Sequence, residues 1–221
     1  MTHPERSPVL IGALIMLLAA CGGTASSAGT PAASTATPVA TVAALVRGEF
    51  AGHTGAMGVA LSTNGKQVVA YICNGTPKSV TLAQWFSGPV TDGRIAITNP
   101  HGTHLAAIVT AKAITGTITL KNGSATAFTA NLVTNLATNP YGLYRSEETF
   151  HGTQYLAGWI ISDPQGPGCC MGVSHDRIEG GILVVKTGAL IPSPMLTTNT
   201  ASVTVPGVGT FTPARCVQSE C

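Results

Sequence analysis

The sequence predicts an all-β fold of antiparallel hairpins, a meander forming a sandwich or barrel. Three observations carry this prediction. From residue 45 onward, short β-type runs alternate apolar and polar residues, Asn-Gly and Asp-Gly dipeptides punctuate them, and no helical period lasts beyond two turns. Residues 56–62 and 67–73 form the first pair, joined through Asn64-Gly65, which is expected to be a type I′ turn. Asp92-Gly93 then precedes a strand over 94–98, where Ile95 and Ile97 point one way, and 105–110 is a further strand. Over 114–120, Ile114, Gly116, Ile118 and Leu120 alternate with three threonines. Asn122-Gly123 follows, and Thr126, Phe128, Ala130 and Leu132 share one face of the next run, a second hairpin expected to close by a type I′ turn.

After Asn135 the chain is turn-rich (Thr138-Asn139-Pro140-Tyr141-Gly142), and strands resume over 155–162, 182–186 and 201–205. Pro192 and Pro194 bar the segment between the last two from a central strand. The region 45–221 is therefore either one domain or two β subdomains that meet near 136–140.

The N-terminus has different chemistry. Residues 9–20 are apolar and uncharged, a run that fits a signal-peptide core and is shorter than the ~20 residues that span a bilayer. It ends in Leu18-Ala19-Ala20-Cys21, followed by Gly22-Gly23. This segment resembles the lipobox of bacterial lipoproteins. The resemblance implies removal of residues 1–20, a diacylglyceryl group on the Cys21 thiol and an extracytoplasmic protein held to the cell membrane. Residues 21–44, almost all Ala, Ser, Thr, Pro, Gly and Val, read as a disordered linker with an end-to-end distance of about 25 Å.

Several elements of the remaining chain, Ala70 to Gly75, Trp85-Phe86-Ser87-Gly88, Asp92-Gly93, Phe128-Thr129-Ala130, Gly142-Leu143-Tyr144-Arg145 and Gly158-Trp159-Ile160, resemble a pattern in exported bacterial β-rich proteins of unassigned function. The motifs are turns and aromatic core positions. They imply a β module and no particular chemistry, with Trp85 and Trp159 as core anchors rather than a carbohydrate platform.

Composition narrows the partners. Without residues 1–20, which carry Arg6 and Glu5, ten Lys or Arg face eight Asp or Glu, and no basic stripe is available to neutralise a phosphate backbone. Nucleic-acid binding is excluded on that ground. Charged residues make up 9% of the chain against a typical ~25%, so hydroxyl groups and exposed backbone must supply solubility.

With Cys21 assigned to lipid, five cysteines remain. In an oxidising compartment Cys169 and Cys170 are expected to face Cys216 and Cys221 in disulfides, closing a loop of ~45 residues worth about 4 kcal/mol, with the connectivity open and a strained Cys169–Cys170 bond as the alternative, while Cys73 is buried as a small apolar residue. Cys169-Cys170-Met171 with His175 also collects soft metal ligands, without a recognised ligand spacing. His101 and His104 would converge only if the chain turns at Gly102, and a solvated hairpin tip is the expectation there.

Catalytic constellations are weaker. Ser174-His175-Asp176 has the residue types of a triad, but contiguous residues cannot form its hydrogen-bond chain. Glu147, Glu148, Asp163 and Asp176 could act as acid and base only if folding brings them together, and no cofactor motif occurs. The expectation is a lipid-anchored extracytoplasmic β module that binds or scaffolds at the cell envelope, with a protein or glycan partner. Two rivals stand beside it: an envelope hydrolase with acid and base from loops at 145–176, and a metal or redox lipoprotein.

Overall fold

A strand wet on one face and buried on the other alternates in sequence, and the strands that alternate most cleanly here wind into a barrel. The computed structural model describes residues 45–76, 78–162, 177–194, 196 and 202–221. Eight antiparallel strands, β1 (Gly48–Thr54), β2 (Met57–Thr63), β3 (Gln67–Cys73), β4 (Ala83–Thr91), β5 (Arg94–Thr98), β6 (His104–Val109), β7 (Ala113–Thr119) and β8 (Ala125–Leu132), pair in chain order and close. Closure is made by β1 and β8 through Phe50 opposite Leu132 and Ala51 opposite Asn131, which removes the sheet edges that would otherwise recruit other chains. The interior is packed, with residues such as Phe50, Leu61, Ile72, Phe86, Ile114 and Phe128 almost wholly buried in one cluster. Each such side chain contributes about 1.5–3 kcal/mol by leaving water.

The turns explain the registers. Asp92 and Gly93 both have positive φ between the paired Thr91 and Arg94, as a type I′ turn requires. At the two Asn-Gly sites the expectation of a type I′ turn is corrected. Gly65 and Gly123 are left-handed, but the asparagines before them are not, because Asn64 Oδ1 accepts from the N–H groups of Lys66 and Gln67, and Asn122 Oδ1 from that of Ser124. These side-chain turns widen both loops.

Beyond Val133 the chain enters a second antiparallel sheet in the order β12 (Leu190–Pro192), β11 (Arg177–Val184), β10 (Thr153–Ser162), β9 (Gly142–Phe150), β15 (Ala214–Arg215). A hairpin of β13 (Val203–Val205) and β14 (Gly209–Phe211) completes the described strands. The second sheet is covered on both sides. One face packs on the outside of the barrel, where Leu143 and Ile160 meet Ala51, Ala60, Tyr71 and Ala83. The other carries Trp159, Ile161 and Ile182 against Val203, Val205 and Phe211. Double coverage explains why Ala157–Ser162 is buried at every position and shows no alternation. Pro192 lies on β12 at the sheet edge, where its missing N–H is tolerated. Residues 41–221 cluster as one compact unit.

Barrel and sheet are joined through Tyr71. Its ring is 1% exposed, lies 4.5 Å from the Trp85 ring, and its hydroxyl donates to the Gly181 carbonyl at 3.1 Å. Gly158 on β10 makes room for it, since a Cβ there would lie 2.6 Å from Tyr71 Cζ and 2.9 Å from Trp85 Cζ2.

The expected staple between residues 169–170 and the C-terminus is corrected at its C-terminal half. Cys216 and Cys221 are bonded to each other, with Cα atoms 4.3 Å apart. A tight turn brings them together: Val217 and Glu220 exchange both backbone hydrogen bonds, with Gln218 and Ser219 at positive φ. So short a loop contributes about 2 kcal/mol by chain entropy, against about 4 for the longer closure. Cys169 and Cys170 lie outside the described residues, and Cys73 is buried.

Gly158→Val is expected to destabilise the protein by about 1–3 kcal/mol through overpacking against Tyr71. Tyr71→Phe should cost about 1 kcal/mol, the net worth of one hydrogen bond. Urea denaturation measures both, and a neutral Gly158→Val would mean that the sheet does not dock as described.

Candidate functional site

A groove opens where the barrel ladder parts. β4 pairs with β3 along nearly its whole length, from Gln67 opposite Pro89 to Cys73 opposite Ala83, but its described ladder with β5 has only two pairs, Val90 with Ile95 and Thr91 with Arg94. Past them no further ladder pair joins the two strands among the described residues. Asn99, 5% exposed, spans the far end: its Nδ2 donates to Gln84 Oε1 at 2.9 Å, and its Oδ1 accepts from the N–H groups of His101 and Thr103. Between these two closures lies a cavity of about 390 Å³, which β9 and β10 of the second sheet also help to line.

Its wall is mainly apolar, from Val69, Trp85, Ile97, Pro100 and Leu156, with Ser87 and Thr98 as exposed polar lining residues. Arg145 is the one charged residue among those that line it. The Arg145 guanidinium carbon stands 5.4 Å from the Trp85 ring centroid, within cation–π range. Its Nη2 also meets Glu147 Oε2 at 2.9 Å in a half-exposed ion pair. Two N–H donors, Trp85 Nε1 and Arg145 Nε, are buried with no acceptor among the described residues. The groove therefore combines apolar surface with one cation, beside two buried unmatched donors.

A second constellation is buried rather than open. Glu49 on β1, 1% exposed, takes a 2.6 Å charge-assisted hydrogen bond from Arg215 Nε on β15. The same guanidinium donates to the carbonyls of Leu136, Asn139 and Tyr141, so it gathers the connection between barrel and sheet. Tyr144 donates to the Pro140 carbonyl at 2.7 Å beside it. Burial raises the Glu49 carboxyl above its ordinary 4.5 against the opposing pull of Arg215, and burial likewise raises Tyr144. With every Arg215 nitrogen engaged, this cluster works as a clamp between the C-terminal strand, the connection and the barrel.

The residues singled out in the sequence fall in different places. Trp159 is a wholly buried core residue of the second sheet, with Nε1 donating to the Pro194 carbonyl, whereas Trp85 is only partly buried and lines the groove. Trp85 still packs against the buried cluster on the outer face of the barrel. His101 is exposed on the β5–β6 turn, where Gly102 has φ +80°, and His104 bonds the Thr98 hydroxyl. Glu147 and Glu148 lie on β9, so the placing of acid and base on loops at 145–176 is corrected as far as Ser162, which ends β10. Glu147 is held by Arg145 and Gln154, and Glu148 by the Ser146 hydroxyl. Among the described residues no group of three or more His, Cys, Asp or Glu is placed to hold a metal. Cys21, Asp163, Met171, Ser174, His175 and Asp176 lie outside the described residues. Sequence reasoning missed the meeting of Trp85 with Arg145, although both stand in the quoted motifs. No protein-family model, curated protein or solved structure matches this chain.

The raised Glu49 pKa fixes the sign of a pH effect. The folded carboxyl keeps its proton where the unfolded one has lost it, so its favourable contribution is full below the unfolded pKa and is lost as pH rises through the folded one. Glu49→Gln removes this titration. The stability of the wild-type protein relative to Glu49→Gln should fall as pH rises above the ordinary glutamate value of 4.5, read from paired urea midpoints, and a relative stability that rises there would contradict the assignment.

Proposed function

We propose that this chain is a lipid-anchored, extracytoplasmic binding module of the cell envelope, and that the groove between barrel and second sheet is its binding site. The observation that carries the reading is the groove itself: about 390 Å³ beside Arg145 and Trp85, within the range of about 300–1,000 Å³ common to small-molecule sites, and mainly apolar with a few polar groups as such sites are. The packed barrel interior supports placing the site outside the barrel. Address rests on Leu18-Ala19-Ala20-Cys21 and on the charge-free residues 21–44, whose composition suits a tether. Two acyl chains on Cys21 suffice for stable anchoring where one does not.

Expression in a bacterium with a labelled fatty acid tests the address. The native chain should take up label and sediment with membranes, and Cys21→Ala should lose the label and appear in the soluble fraction. Label retained on Cys21→Ala would refute lipidation at this residue.

A further inference from the structure

We propose that the groove takes a small, mainly apolar molecule bearing one carboxylate or similar anionic acceptor, with the anionic head received by Arg145. This rests on the reading of the groove as a binding site and adds the chemical class of its ligand.

Buried polar groups are nearly always matched, yet Trp85 Nε1 and Arg145 Nε have no acceptor among the described residues. An indole nitrogen and a guanidinium can only donate, so the complement they call for is an acceptor. Arg145, the one charged lining residue, favours an acceptor with negative charge, and a carboxylate matches the planar guanidinium.

The polar neighbours leave this role open. Asn99 is consumed by Gln84 and the β5–β6 turn, and Glu148 by the Ser146 hydroxyl. Glu147 is the competitor for Arg145. Its side chain is 48% exposed, and exposed pairs of this kind hold weakly, so a ligand carboxylate with an apolar body can replace it. The body is specified by the wall: Val69, Ile97, Pro100 and Leu156 offer no hydrogen-bonding side chain, and a cavity of about 390 Å³ is near the small end of ligand sites. A bare inorganic anion would leave that wall unused.

Titration of the purified protein with 2-naphthoate and with 2-naphthylmethanol, which has the same body without the charge, tests the proposal by calorimetry. Naphthoate should bind saturably at one site and about tenfold more tightly than the alcohol, the worth of one charge-assisted hydrogen bond. Arg145→Gln should abolish that preference while leaving the alcohol's affinity unchanged. Thr98→Trp, at an exposed lining position with Arg145 intact, should weaken both. Equal binding of the two probes, still sensitive to Thr98→Trp, would overturn the ligand class and leave the groove a binding site. Absence of binding, or binding indifferent to Thr98→Trp, would overturn both.

Discussion

The placement of Tyr71 is the constraint on which the rest of the structure depends. A phenol removed from water must keep a hydrogen-bond partner, and here the Gly181 carbonyl of the second sheet accepts from the buried hydroxyl. That demand fixes the distance between barrel and sheet, and Gly158 permits it. It also decides which barrel strands are apolar outside: Ala60 on β2 and Ala83 on β4 share the outer-face cluster with Tyr71, while β5 keeps exposed residues on its outer face.

The groove follows from this docking. β4 presents Trp85 to Tyr71 on the outer face while its ladder to β5 ends at Val90, so a cleft remains where the two strands part. β9 then places Arg145 beside it, because Arg145 shares with Leu143 the face of the strand that packs on the barrel. Breaking one partner of such a buried ion pair typically costs about 3–5 kcal/mol, which makes the clamp a device for fixing the path from barrel to sheet.

What could be read from the sequence divides along the same lines. Where one face of a strand is wet, as in β5, β7 and β8, period-2 alternation gave the strands to within a residue, and Asp92-Gly93 gave its turn. β9 was hidden because Arg145, Ser146, Glu147, Glu148 and Thr149 form a polar run whose place in a sheet is secured by side-chain pairing rather than burial. Its turn to β10 was hidden too, since His151 adopts the left-handed conformation that Asn or Asp usually supplies. The site was least legible of all. Trp85 and Arg145 are sixty residues apart, and only the docking of two sheets makes them neighbours.

Barrel and second sheet fold as one unit held at Tyr71, and the two tryptophans report on its two halves. Trp85 sits on the barrel's outer face, and Trp159 sits in the core on the far side of the second sheet. Urea unfolding followed by tryptophan fluorescence in Trp85→Phe and in Trp159→Phe, each compared with far-ultraviolet circular dichroism of the same variant, measures whether they unfold together. Coincident transitions are expected within each variant. A fluorescence transition displaced from the loss of strand signal in either variant would show the two parts unfolding separately, and would contradict folding as one unit.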